Sequence, residues 1–278
     1  MKNFLFKKPF CLSVALISLI AVILRFFQLA TNVDSVTGFY KNAADTGRIA
    51  FIIIIVIAFI FGFVWRYLAK KKAILPINMK FDFSKLFGER IILAAVAIGF
   101  AVNTFYEIFR IKNPLPSLLL PGAITAFAVI TSILSALSLV YFIVLSFLIE
   151  NKQLGTSFLS IVTVAWVVFR ILRDFISFTT IVYISENLLD IIFLCFLLIT
   201  LFAVCRLLSD SDTKKGYNLF ALFAPATIVL GFVLSIPAIL GFLCGFDSVG
   251  ESDMFMHFVD LTLSVFILRV GMYVFSEN

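Results

Sequence analysis

Charged residues are scarce in this chain: only 14% of its 278 residues are Asp, Glu, Lys or Arg, against about 25% in ordinary soluble proteins. There is one histidine, His257, which excludes an HExxH zinc site and any histidine-rich metal centre. The four cysteines form no CxxC pair, so no redox motif is indicated. GxSxG and P-loop patterns are also missing. The sequence therefore predicts no enzyme and no cofactor.

Apolar residues take the place of the missing charges. They make up 62% of the chain, with 35 Phe, and the mean hydropathy is +1.13. This composition is typical of integral membrane proteins. It leaves no room for a soluble catalytic domain or a disulfide-built secreted fold. The net charge of +6 comes from basic residues concentrated in loops, so we expect no nucleic-acid partner.

Eight apolar runs are long enough to cross a bilayer at about 20 residues per crossing. They lie near 10–30, 49–69, 91–109, 120–149, 157–178, 186–207, 219–244 and 255–275. Backbone groups in lipid must pair within their own segment, so these runs predict helices. The first run follows a basic N-terminus, as a signal peptide does, but its length predicts a retained helix. The predicted fold class is an all-α polytopic transmembrane bundle of about eight helices, a single domain over 1–278.

The distribution of Lys and Arg between the loops predicts the orientation. With the N-terminus inside, thirteen of them fall in cytoplasmic segments and four in external loops. Those four are Lys41, Arg48, Arg110 and Lys112. We therefore expect a bacterial plasma-membrane protein with both termini in the cytoplasm.

The segment 70–90 is the longest predicted cytoplasmic loop, and it mixes lysines with Phe81, Phe83 and Phe87. Lysines near anionic lipid each contribute about 1 kcal/mol to membrane binding. We expect this segment to lie along the anionic headgroups of the lipid bilayer, with docking of a protein partner as the alternative. No motif indicates a particular protein partner.

Small residues at helical spacing predict where helices approach one another, since lipid provides no hydrophobic drive for helix association. The third run has Ala95 and Gly99, and the seventh has Gly231 and Ser235. We expect both pairs to lie at contacts between helices.

The fifth run carries charges that a membrane does not readily accept. Its apolar stretch extends only from Phe158 to Phe169, too short to cross about 30 Å of hydrocarbon. A complete crossing must include Arg170, Arg173 and Asp174, although a lone charge at the bilayer centre costs about 2.5–3.5 kcal/mol. Helical spacing places these three on one face, so we expect them to point inward and be paired.

The sixth helix is the predicted source of the partners, because it begins with Glu186 and Asp190 and would form a hairpin with the fifth. Arginine suits such a site, because its planar fork can hold two carboxylate oxygens. Other ionisable residues fall at the same end of the third and eighth helices. The predicted polar cluster consists of Arg170, Arg173, Asp174, Glu186, Asp190, Glu107, His257 and Asp260.

Two segments carry a resemblance. RILRDFISFTTIVYISENLLD (170–190) and DSVTGFY (34–40) are similar to segments of uncharacterised multi-pass membrane proteins of Clostridia-type bacteria. The resemblance implies a membrane bundle and brings no activity, cofactor or substrate.

Two functions fit the predicted cluster. In the first, the protein is a structural or accessory bundle, and the cluster consists of ion pairs that hold the helices in one arrangement. In the alternative, it is a transporter or a solute-binding component, and the cluster meets a small charged solute. A metal site at Asp253, His257 and Asp260 is a weaker third interpretation, because a polar helix end explains that spacing more simply.

Overall fold

The chain is helical throughout the part that the structure describes. The computed structural model describes residues 4–31, 46–71, 87–112, 121–148, 157–178, 184–209, 212–244 and 254–274. These ranges contain eight helices, no strand and no soluble domain, which confirms the predicted fold class. The helices are α1 (Phe4–Thr31), α2 (Thr46–Lys71), α3 (Phe87–Lys112), α4 (Pro121–Leu148), α5 (Ser157–Phe178), α6 (Ile184–Leu208), α7 (Thr213–Leu243) and α8 (Met254–Val274).

Two helices begin well before their apolar runs. Helix α1 starts at Phe4 and α7 at Thr213, each more than a turn earlier than the hydropathy predicts. Hydropathy marks only the part of a helix that is apolar, whereas the backbone hydrogen bonds continue into the polar flank. At α7 the added turn is capped by Asp212, whose side chain accepts a hydrogen bond from the backbone N–H of Lys215.

Six of the helices close a ring. Helices α3 to α8 pack in chain order, each against the next, and α8 packs in turn against α3. Helices α1 and α2 both pack against α7 and against each other. Helix α7 is therefore the most enclosed: 78% of its span is buried, against 33% for α1.

Glycines permit the close approaches around α7 and α8. A Cβ on Gly62 of α2 would overlap the backbone carbonyl of Leu222 on α7. A Cβ on Gly231 of α7 would overlap the side chain of Ser264 on α8. Gly99 of α3 likewise lies against α8, beside Thr262. Gly99 and Gly231 thus lie at helix contacts, as their small-residue spacing predicted.

Most of the described helices have the length and surface of membrane spans. Six are long and apolar enough to cross a membrane: Leu12–Thr31, Arg90–Phe109, Thr125–Phe147, Leu188–Leu208, Lys214–Leu243 and Met254–Met272. Large apolar side chains such as Phe27, Ile60 and Phe105 point outward and are exposed. A surface of this kind is unfavourable in water and suits lipid. The molecule is therefore a membrane protein.

Helices α2 and α5 are not among the six spans. The apolar part described for α2 is shorter, Ile52–Tyr67. Helix α5 contains Arg170, Arg173 and Asp174 within two turns. The structure does not test the predicted contact of segment 70–90 with lipid headgroups, because almost all side chains of this segment lie outside the described residues.

Candidate functional site

Helix α5 turns its polar face into the ring. Thr163, Trp166, Arg170 and Arg173 follow helical spacing, and each is at most 4% exposed. Phe175, on another face, is 61% exposed. The 22 residues of α5 form one continuous helix, about 33 Å long at 1.5 Å per residue. It is thus long enough to span the hydrocarbon, and its arginines are not stranded in lipid.

Arg170 forms a two-pronged ion pair with Asp260 of α8. Its Nη1 donates to Asp260 Oδ1 at 2.5 Å, and its Nη2 donates to Oδ2 at 2.7 Å. The guanidinium also lies over the Trp166 ring, 5.4 Å from the centroid, close enough for a cation–π contact. Asp174 Oδ2 is 3.7 Å from Arg170 Nε. The pair joins α5 to α8 across the ring.

Arg173 joins α5 to α3. Its Nη1 donates to Glu107 Oε1, while Nε and Nη2 donate to Asp174 Oδ1 at 2.9 Å and 2.8 Å. Nη2 also lies 3.1 Å from the sulfur of Met256 on α8. Arg173 thus lies where α3, α5 and α8 meet. We call Arg170, Arg173, Asp174, Glu107 and Asp260 the charge cluster.

Helix α6 does not supply the partner that we predicted for Arg170. The carboxylates that Arg170 meets are Asp260 and Asp174, because the charged face of α5 points across the ring and not sideways to α6. The prediction that Glu186 and Asp190 of α6 supply the partners of both arginines is therefore wrong for Arg170, and for Arg173 it stays a prediction. Asp190 is half-buried on α6, and the side chain of Glu186 lies outside the described residues.

His257 is buried, three residues before Asp260 on α8. Helical spacing places it on the same face as Asp260. Asp253, the third member of the metal site considered above, lies outside the described residues. Within the described ranges, no group of three His, Cys, Asp or Glu side chains is arranged to hold a metal ion.

A separate hydrogen-bond network joins α3 to α4, one turn from Glu107. Asn103, one turn before Glu107, donates through Nδ2 to Ser135 Oγ at 3.0 Å. Ser135 in turn donates to the Phe100 carbonyl at 3.2 Å, and Thr104 Oγ1 lies 2.9 Å from Ser135 Oγ. All three side chains come from the facing surfaces of α3 and α4, so the network ties those helices together.

Aromatic rings pack beside the charge cluster. Phe100 of α3 contacts Trp166 of α5 edge-on at 5.0 Å and stacks on Phe142 of α4 at 5.6 Å. Phe142 meets Phe266 of α8 at 5.5 Å. Rings from four helices therefore fill the interior next to the ion pairs.

A small cavity lies among α4, α5, α6 and α8. Its lining includes Tyr141, Ser160, Thr163 and Cys205, and none of its lining residues belongs to the charge cluster. The cavity has room for about one water molecule. The ion pairs are thus packed inside the protein and do not line this cavity.

The sequence did not indicate two of the residues at the site. Met256 could have been found, because it precedes Asp260 by four residues and so shares its helical face. Ser135 carries no such signal, since α4 has several serines and its partner Asn103 is 32 residues away.

The fold and site define a polytopic helical membrane protein with a buried, largely paired charge cluster. No protein-family model, no curated protein and no solved structure matches the chain.

Proposed function

We propose that this protein is a structural or accessory bundle of the bacterial plasma membrane, in which the charge cluster fixes the arrangement of α3, α5 and α8. The observation that carries the proposal is the buried pair of Arg170 with both oxygens of Asp260. An arginine whose terminal nitrogens are both occupied by a carboxylate of its own chain has little capacity left to bind a solute.

The surroundings of the pair support the same role. Arg173 is held by Glu107 and Asp174, and the described cavity has no member of the charge cluster in its lining. Removing one partner of a buried ion pair leaves an uncompensated charge, which costs about 3–5 kcal/mol in measured cases. The paired charges therefore favour one helix arrangement over others.

The proposal includes eight crossings, an even number, with both termini in the cytoplasm. The excess of Lys and Arg in one set of loops supports this orientation. Segment 70–90 then lies along the anionic headgroups of the cytoplasmic leaflet. The proposal includes no catalytic step and no cofactor.

Cysteine labelling in intact cells tests the orientation. In a variant whose four native cysteines are replaced, Lys112→Cys should react with a membrane-impermeant maleimide, and Lys214→Cys should react only after permeabilisation. Both lysines are exposed at helix ends. The reverse pattern would overturn the orientation.

Membrane abundance tests the structural role. Arg170→Ala should sharply lower the amount of folded protein in the membrane, because it leaves Asp260 buried without its cation. Arg66→Ala is the matched control, since Arg66 is exposed at the end of an apolar helix; its abundance should stay at the wild-type level. Normal abundance of Arg170→Ala, together with changed uptake across a panel of small charged solutes, would contradict the structural role and favour a transporter.

A further inference from the structure

The charge cluster contains more acids than bases. Two guanidiniums, Arg170 and Arg173, face three carboxyl groups, Glu107, Asp174 and Asp260. If all five were ionised, the cluster would carry an uncompensated negative charge inside a membrane bundle, where unpaired charge is strongly unfavourable. Among the described side chains, one more positive charge is needed to balance it.

The geometry separates the three carboxyl groups. Both oxygens of Asp260 accept from Arg170, so each of them already has a donor. Asp174 accepts two bonds from Arg173 on one oxygen and lies near Arg170 with the other. It is also the most exposed of the three, at 14% of its side chain.

Glu107 differs from both. Its Oε1 faces Arg173, but Oε2 is buried with no hydrogen-bond partner in the part of the chain that the structure describes. The residue is 1% exposed. A carboxylate oxygen in that position has lost its hydration and gains no hydrogen bond from the described residues in return.

The side-chain oxygen of Asn103 is a second acceptor without a donor among the described residues. Asn103 lies one turn before Glu107 on the same face of α3 and is 0% exposed. Its Nδ2 donates to Ser135, while its Oδ1, an acceptor, has no partner among the described residues. Two acceptors on one face of α3 thus lack a donor among the described residues, and a proton on one of them would supply it.

We infer that the charge cluster is a proton-binding site, with the proton on Glu107 Oε2, where the new O–H can donate towards Asn103. Binding adds one proton from solvent to the carboxylate and breaks no other bond. It balances the two arginines against two carboxylates and gives Oε2 a donor function. This assignment goes beyond the structural role, because it makes the cluster able to take up and release a proton.

The other described charged groups near Glu107 come from two helices. Arg173 of α5 contacts Glu107, Arg170 and Asp174 lie beside Arg173 on α5, and His257 and Asp260 lie on one face of α8. The side chain of Arg110, three residues after Glu107 on α3, lies outside the described residues. Helix α4 contributes Ser135, which does not ionise in this range. His257 as an imidazolium is the rival source of the balancing charge, and the experiment below distinguishes the two.

Infrared spectroscopy of the purified protein tests the inference directly. The wild type should show the carbonyl-stretch band of a protonated carboxylic acid, shifted in deuterated water. Glu107→Gln should lose that band. Asp212→Asn, which removes an exposed carboxyl outside the charge cluster, is the control and should keep it. Asn103→Ala should move the band to higher frequency, as expected when its hydrogen bond is removed.

Several results would overturn the inference. These are no carboxylic-acid band in the wild type, a band that survives in Glu107→Gln, or a sodium-dependent rise in unfolding temperature that Glu107→Gln abolishes. The first result would mean that His257 or a solvated carboxylate balances the cluster, and the last would mean that a metal cation does. The wild-type spectrum alone shows whether the carboxylic-acid band is present, even if a variant fails to fold.

A stability measurement provides an independent readout. If Glu107 is a neutral acid, Glu107→Gln exchanges one uncharged acceptor for another of similar shape, and the unfolding temperature should stay close to that of the wild type. A large drop would mean that Arg173 had lost an ionised partner, which contradicts the inference.

Discussion

Arg170 on α5 and Asp260 on α8 share two hydrogen bonds, of 2.5 Å and 2.7 Å, although 90 positions separate them in the chain. Side chains, not backbone packing, connect these two helices across the ring. The energetic importance of the pair is therefore open to measurement by substitution.

Removing one partner should cost far more than removing both. Arg170→Met or Asp260→Leu alone should lower the free energy of unfolding by about 3–5 kcal/mol, because each leaves a buried charge without its partner. The double variant, with apolar side chains at both positions, should recover most of that loss. Reversible unfolding in detergent measures all four proteins of the cycle.

One outcome of this double-mutant cycle would contradict the prediction. If the two single losses simply add in the double variant, then Arg170 and Asp260 do not interact energetically, and the pair does not fix the position of α8.

Close helix approach should make Gly231 intolerant of a side chain. In Gly231→Ala the new Cβ would overlap Ser264 and press on Phe193. Ser264 lies one turn after Asp260 on α8, so the overlap would push this part of α8 away from α7. We expect a loss of about 1–3 kcal/mol in the free energy of unfolding, measured by the same detergent unfolding assay.

Gly122→Ala is the matched control. Gly122 lies in α4, and nothing stands within 4 Å of the position of its Cβ. Alanine is also the better helix former, so this variant should be neutral or slightly more stable. Equal losses at the two glycines would show that backbone entropy, not packing, sets the effect.

The Thr200–Thr227 hydrogen bond should contribute little. The two buried hydroxyls lie 2.8 Å apart between α6 and α7, and Thr227 donates its own hydrogen to Phe223 at 2.9 Å, so Thr200 is the donor of the pair. Thr200→Val should cost about 0.6 kcal/mol, the average for such bonds in membranes. A loss as large as that from Arg170→Met would contradict the view that the ion pairs dominate.

Acid should remove the contribution of Asp212. This exposed carboxyl precedes α7, and its hydrogen bond and ion pair with Lys215, at 2.8 Å, hold its pKa below the usual range. A carboxyl whose pKa is lower in the folded state stabilises the protein above its unfolded pKa of about 3.9 and loses that effect as pH falls through the folded value.

Asp212→Asn isolates this charge, because asparagine tolerates the left-handed backbone at φ 54° and still caps the helix. The unfolding temperature of the wild type should exceed that of the variant slightly at neutral pH and match it in strong acid. Lys214→Ala, at an exposed neighbour, should show no such convergence. A difference that persists in strong acid would contradict the assignment.

The fold followed from the sequence because hydropathy acts locally. Each apolar run needs only its own length and backbone to become a helix in lipid. The inward face of α5 was predictable for the same reason: Arg170 and Arg173 can avoid lipid only by pointing into the bundle.

The partners of those arginines were not predictable in this way. Glu186 and Asp190 are close along the chain, and that proximity favoured α6. The actual partners, Asp260 and Glu107, depend on how α3 and α8 are placed around the ring. Helix spacing determines which side chains share a face, but not which helix stands opposite.

The position of Asp260 on α8, well after Arg170 in the chain, has a consequence for biosynthesis. Arg170 leaves the ribosome 90 residues before its partner, an interval of about 5–18 seconds at about 5–20 residues per second. During that interval α5 must be held by the insertion machinery or remain at the aqueous edge. Nascent chains truncated before α8 should therefore be recognised and degraded by membrane quality-control proteases, which makes the arrival of α8 a checkpoint of assembly.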